Sequence, residues 1–119
     1  MSKESHFSIE EFRCPCCYKA TVDPALMDGL EGLREIAGAP IYITSGYRCK
    51  EHNARVGGSS RSQHLSGRAA DIVIKDIGVE DMYEMAVKVD VFCNGGIGKY
   101  PDDGFIHVDA RGKKARWIG

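Results

Sequence analysis

Ser62-Gln63-His64-Leu65-Ser66-Gly67-Arg68-Ala69-Ala70-Asp71 is the stretch from which the chain is read. A polar, Gly- and Ser-rich loop leads to His64. From Ala69 to Ile74 the residues become apolar and β-branched, the pattern of a strand, and that strand carries Asp71. A second histidine, His107, lies in Gly104-Phe105-Ile106-His107-Val108-Asp109, inside another strand-like run. Imidazole and carboxylate are donors that zinc accepts. Three protein donors with one open position are the pattern of a catalytic ion rather than a structural one. The spacing matches no short fixed motif, and a lone histidine in an apolar strand is more often a hydrogen-bonded core residue than a ligand.

Working outward, Ile41-Tyr42-Ile43-Thr44 reads as the preceding strand and runs into Ser45-Gly46-Tyr47-Arg48. Before it, Asp23 as N-cap and Pro24 at the first helical position start a helix. Leu26, Leu30, Leu33 and Ile36, with Met27 and Ala37 beside them, form its apolar stripe, and Gly38 ends it. Ser8 and Glu11 form a capping box for a short opening helix, with Phe7 and Phe12 as its hydrophobic staple. Lys50 to Arg55 is expected to form one or two helical turns. Downstream, the period of Val79, Met82, Tyr83, Ala86 and Val89 predicts one amphipathic helix over about 79–89. Gly95 to Tyr100, the turn Pro101-Asp102-Asp103-Gly104 and Phe105 to Arg111 read as a hairpin, and Ala115 to Ile118 as a short edge strand. Segregated elements of this kind predict an α+β fold, a central antiparallel sheet with helices packed on one face.

The chain has 119 residues, enough for one domain with one modest core, so 1–119 is read as a single domain with 1–6 as a flexible start. A net charge of -1 gives no electrostatic term that favours nucleic acid or an acidic membrane. No run approaches the roughly 20 apolar residues of a membrane span. Met1 to His6 lacks an apolar core, so no signal peptide is expected and the chain is placed in the cytoplasm as made. His6 and His52 sit in polar surroundings and read as solvated. Five cysteines, an odd number, argue against a disulfide framework. Cys14-Pro15-Cys16-Cys17 has two readings: a loop of reduced thiols, or a structural metal site completed by Cys49 or Cys93. The tight spacing and the lack of a second pair favour the first.

The pattern Ser62-x-His64-x-x-Gly67-x-Ala69-x-Asp71, followed by Phe105-Ile106-His107-Val108-Asp109, resembles the M15 family of zinc peptidases. It is most similar to the small single-domain branch related to the zinc D-Ala-D-Ala carboxypeptidases. Ile43-Thr44-Ser45-Gly46-Tyr47-Arg48, Asn53 to Gly58, Gly96-Ile97-Gly98 and Tyr100-Pro101 agree, so the resemblance runs from about Phe7 to Trp117. It implies the fold shared by those carboxypeptidases and the hedgehog signalling domain. It implies one zinc ion on His64, Asp71 and His107. The implied activity is cleavage of peptidoglycan stem or cross-bridge peptides by a zinc-activated water, as a carboxypeptidase or an endopeptidase, in a monomer. A phage lysis system would be one route by which such a protein reaches the cell wall.

The resemblance assigns Arg48 to oxyanion stabilisation or to gripping a substrate carboxylate. Ser62 and Gln63 are candidates for hydrogen bonds to substrate, or plain turn residues. Family members carry an acid three positions before the last histidine, where this chain has Gly104. Asp103, then Asp102 or Asp109, are the candidate bases. Asp109 is equally a partner that orients His107, and Asp102 and Asp103 a solvated hairpin tip. The missing acid supports a second reading, a non-catalytic zinc-binding module of the hedgehog type.

Overall fold

Along Ala69–Ile74 the side chains divide between two faces. Ala70, Ile72 and Ile74 join the hydrophobic core, while Asp71, between them, faces the other way. The structure, a computed structural model, describes residues 7–59 and 62–119. The expected flexible start at 1–6, His6 included, and Ser60 of the glycine-serine loop lie outside the described residues.

Five strands form one sheet: β1 (Ile41–Ser45), β2 (Ala69–Ile74), β3 (Gly96–Tyr100), β4 (Phe105–Asp109) and β5 (Ala115–Ile118), in the order β1-β2-β4-β3-β5. The first three pairings are antiparallel, and β5 runs parallel to β3. The fold is α+β as expected, and the purely antiparallel sheet is corrected at this one edge. After β4 the chain reverses, but both slots beside β4 are already taken by β2 and β3. The returning strand therefore pairs beyond β3 and shares its direction. Arg116 fastens it there, donating to the carbonyls of Gly95 and Cys93 at 2.8 Å each.

The helices are α1 (Pro24–Ala37), α2 (Lys50–Arg55), α3 (Val79–Ala86) and α4 (Asp90–Cys93). Asp23 caps α1 by accepting from the Ala25 N–H at 2.8 Å, and Gly38 ends it in the left-handed conformation. Leu26, Leu30 and Leu33 are fully buried; Ile36 is 43% exposed, and Ala37 continues the stripe in its place. The helix expected over 79–89 is broken. The chain turns at Val87 and Lys88, Val89 takes extended backbone as the N-cap, and α4 starts afresh. The break lets Phe92 enter the core beside Gly29 of α1, where an added Cβ would lie 2.7 Å from the Phe92 ring. Burying such a ring stabilises the fold by about 1.5–3 kcal/mol.

Leu26, Leu30, Leu33, Met82 and Phe92 meet Ile72, Ile97, Ile106 and Val108, so α1, α3 and α4 cover one face of the sheet. The opening 3₁₀ turn at Ile9–Phe12 has its capping box and its Phe7–Phe12 contact, with ring centroids 6.4 Å apart. Among the described residues no helix is long and apolar enough to cross a membrane.

Candidate metal centre and cleft

His64 owes its position to a short, well-capped turn. Ser62 Oγ accepts the His64 N–H at 3.2 Å, Gln63–Ser66 form one 3₁₀ turn, and Gly67 ends it with φ 72°. An added Cβ on Gly67 would lie 2.2 Å from the Thr21 carbonyl oxygen, so this turn seats directly on the segment leading to α1. Two residues after Gly67 β2 begins, and Asp71 stands directly across from His107 of β4. One sheet register thus places two of the three expected donors, and the turn supplies the third.

The three side chains are buried together, with 2, 6 and 7% exposure for His64, Asp71 and His107. Asp71 Oδ1 lies 3.3 Å from His64 Nε2 and 3.0 Å from His107 Nδ1, and all three donor atoms fall within 4.8 Å of one another. A tetrahedral zinc with bonds of about 2.0 Å has ligand edges of about 3.3 Å. The far nitrogen of each imidazole is fixed. His64 Nδ1–H donates to the Gly46 carbonyl at 2.7 Å, and His107 Nε2–H donates to Asp109 Oδ2 at 2.7 Å. Each proton location leaves the inward nitrogen with the lone pair a metal needs. The donor set therefore fits zinc.

Without a cation the cluster compensates its own charge. Burial opposes ionisation of Asp71, but its contacts with His107 and His64 outweigh it and hold the carboxyl well below the usual carboxylate range. Burial likewise opposes the charge on His107, and Asp109 and Asp71 reverse the effect, raising its pKa. A metal ion would take the place of the proton on His107 Nδ1.

Asp109 is fully buried, and burial resists its charge as well. It accepts from His107, from Arg111 Nε and Nη2 at 2.7–3.1 Å and from the Gly96 N–H at 2.8 Å, which together bring its pKa far down. Its oxygens are committed, so it orients His107. Asp103 and Asp102 are exposed at the β3–β4 turn and do not line the cleft. The structure thus does not bring the first-ranked base to the metal cluster. The turn is closed beneath them by Tyr100 and Phe105, stacked at 4.5 Å, and by two N–H bonds to the Tyr100 carbonyl.

Arg48 is brought to the cluster. Its Nη2 lies 3.3 Å from Asp71 Oδ2, Nη1 donates to Asn53 and Nε to Ser45, each at 3.2 Å. These contacts use three of five N–H donors. A bulge at Thr44 makes this possible: Ile43 pairs with Ile72 but Ser45 with Asp71, so one extra residue aims Ser45 at the guanidinium. Ser62 serves as the cap of the His64 turn. Gln63 Oε1 is buried with no hydrogen-bond partner among the described residues.

The cluster opens into a cleft of about 620 Å³. Sequence reasoning gave no role to its aromatic wall. Trp117 packs against His107, centroids 4.9 Å apart, and donates Nε1–H to the Tyr100 hydroxyl at 2.9 Å, while the Arg111 guanidinium lies over its ring at 5.3 Å. The available signal was Gly98. It pairs with His107 on one side and Trp117 on the other, and an added Cβ would lie 2.4 Å from the indole.

Comparison with known proteins points to one peptidase family. The sequence pattern of the family described as Peptidase M15 matches residues 5–109. The peptidoglycan L,D-endopeptidase MepK of Escherichia coli is 32% identical over 104 residues, covering 82% of this chain and 55% of that protein. The probable peptidoglycan L,D-endopeptidase MepK of Haemophilus influenzae is 31% identical over 106 residues, with the same shares. The chain spans about half the length of these relatives.

Proposed function

The chain belongs to the peptidase M15 family, and on that premise we propose that it is a zinc-dependent peptidase that cuts peptide bonds within peptidoglycan peptides. The observation that carries the proposal is the set of inward donors His64 Nε2, Asp71 Oδ1 and His107 Nδ1, each imidazole locked from behind, at the base of an open cleft. All three donors come from one chain, which fits action as a monomer.

Zinc bound there supplies an activated water and a Lewis acid for the scissile carbonyl. The chain's own groups do the rest. Arg48, beside Asp71, donates to the carbonyl oxygen as its charge develops. Gln63 Oε1 accepts an N–H from the substrate backbone, a bond that removes the cost of leaving a buried acceptor unpaired. Trp117, Tyr100 and Phe105 cover the apolar parts of the substrate and keep bulk water from the reacting carbonyl.

Among the described residues that line the cleft, the cations are Arg48 and Arg111, and both already face carboxylates. A carboxypeptidase needs a cation for the substrate's terminal carboxylate. The names of the relatives favour an endopeptidase. One observation favours the alternative of a metal module without turnover: Asp71 is the sole acid lining the cleft among the described residues, and it belongs to the donor set.

The test is mass spectrometry of muropeptides after incubation with zinc-loaded protein and with a chelated control. A new free amine inside the stem or cross-bridge is the expected product. Loss of a terminal alanine makes the protein a carboxypeptidase, and no zinc-dependent change across several wall types leaves the metal module.

A further inference from the structure

Four of the five cysteines gather on the other side of the Arg48 loop. Cys14 is fully buried, Cys16, Cys17 and Cys49 are half-buried, and all are free thiols. Cys14 to Lys19 form a tight turn. The Tyr18 N–H donates to the Cys14 carbonyl, and the Cys14 N–H to the Lys19 carbonyl, both at 2.8 Å. Tyr18 closes the turn with φ 61°, a left-handed conformation that strains a non-glycine residue. Cys49 arrives from the loop after β1. Its Sγ lies 3.7 Å from Cys14 Sγ, and the sulfurs of Cys14, Cys17 and Cys49 all fall within 4.8 Å of one another. Cys16 is not one of that trio, but its thiol is near enough to Cys49 for the two to interact.

We infer that Cys14, Cys17 and Cys49 bind a structural zinc ion, separate from the His64–Asp71–His107 centre, with Cys16 as the fourth thiolate. A tetrahedral zinc with Zn–S bonds of about 2.3 Å sets its sulfurs about 3.8 Å apart, which the Cys14–Cys49 separation of 3.7 Å matches. A disulfide would use two of these sulfurs and leave the others unexplained, whereas a four-coordinate ion uses them all. Backbone donors also converge on the sulfurs. The Cys49 N–H points to Cys14 Sγ at 3.5 Å and the His52 N–H to Cys49 Sγ at 3.4 Å. Such donors stabilise thiolates, as the outer contacts of metal sites do. The ion would repay the strain at Tyr18 by holding both ends of its turn.

The place of this site explains its use. Cys49 follows Arg48 and caps α2, and Cys14 lies two residues after Phe12, whose carbonyl accepts the Tyr47 N–H at 2.9 Å. The ion ties the amino-terminal segment to the loop that carries Arg48. With four protein thiolates it has no open position for substrate.

The test uses the full chain, purified under reducing conditions, and its His64→Ala/His107→Ala double variant. Elemental analysis should give two zinc ions per wild-type chain and one in the double variant. Cobalt(II) added to the metal-free double variant should give an intense near-ultraviolet thiolate-to-cobalt charge-transfer band, which an imidazole–carboxylate site cannot produce. Cys14→Ser and Cys49→Ser should lose that band and one zinc. Should either fail to fold, the spectrum of the double variant still decides. A double variant that is folded by circular dichroism yet holds no zinc and shows no band overturns the inference. So does a Cys14–Cys49 disulfide mapped by mass spectrometry in protein with no zinc at the cluster. Because the double variant lacks the cleft's donor set, neither result depends on whether the protein is a peptidase.

Discussion

Asp109 accepts a hydrogen bond from His107 at 2.7 Å while fully buried two residues further along the same strand. Residues two apart on a strand share a face, so the sequence His-Val-Asp carries a donor and the group that orients it as one unit. Asp109→Ala should weaken zinc binding at the cleft by about 10–100-fold, read by competition with a chelator in a Cys14→Ser background. Unchanged affinity would mean that the ring is held by packing against Trp117 alone.

Arg48→Ala should lower turnover by about 10²–10³-fold, the effect of removing an oxyanion donor, and leave the zinc content at the cleft unchanged. Both are measured on the same preparation. If zinc is lost in proportion to activity, the guanidinium acts by neutralising Asp71 rather than by meeting substrate.

Asp103→Asn should leave turnover close to wild type, because Asp103 is exposed at a hairpin tip outside the cleft. Loss of a general base costs about 10²–10⁴-fold. A fall of that size would show that the tip folds over the substrate.

Gly98→Ala should destabilise the protein by about 1–3 kcal/mol, the usual cost of overpacking, since the new methyl would meet the Trp117 indole. Thermal melts measure this, and KM should rise with the displaced wall. A melting point equal to wild type would show that β5 is free to move aside.

Stability should depend on pH in opposite senses for the two kinds of group. Asp71 and Asp109 have lowered pKa values, so their contributions are complete above about pH 4 and are lost as pH falls below that range. His107 has a raised pKa, so its contribution is complete below about pH 6.5 and is lost as pH climbs past its raised value. Chelated protein should therefore melt highest at mildly acidic pH. Added zinc should move the optimum upward, because it displaces the His107 proton. A chelated chain that melts higher at pH 8.5 than at pH 5.5 would falsify this account.

Much of the fold follows from local chemistry that the sequence displays openly. The caps at Ser8, Asp23 and Gly38, the strand over 69–74 and the hairpin turn at 101–104 all stand where the residues predict. Features set by distant partners were not legible. The break after Ala86 serves Phe92, whose place is made by Gly29 some sixty residues earlier in the chain. The parallel edge depends on β2 already occupying the far side of β4. In the site, His64, Asp71, His107 and Arg48 meet as their motifs imply. Asp103 does not, because no local pattern says whether a polar turn leans over a cleft or away from it. Sequence also left open which of Cys49 and Cys93 lies beside Cys14-Pro15-Cys16-Cys17, because that choice is made only by the fold, which brings Cys49 to Cys14.

The two imidazoles of the donor set are steadied by groups of different heritability. Asp109 is a side chain, and a single codon change deletes it. The Gly46 carbonyl that steadies His64 is main chain, and every residue type would present the same oxygen. What a mutation at position 46 changes is its location, because any Cβ there would lie 2.6 Å from the Phe12 Cα. In a saturation scan, position 46 would thus score as intolerant as a ligand, although its side chain is a hydrogen atom, and no residue at position 12 would rescue it, because the Cα and carbonyl oxygen it meets belong to the main chain.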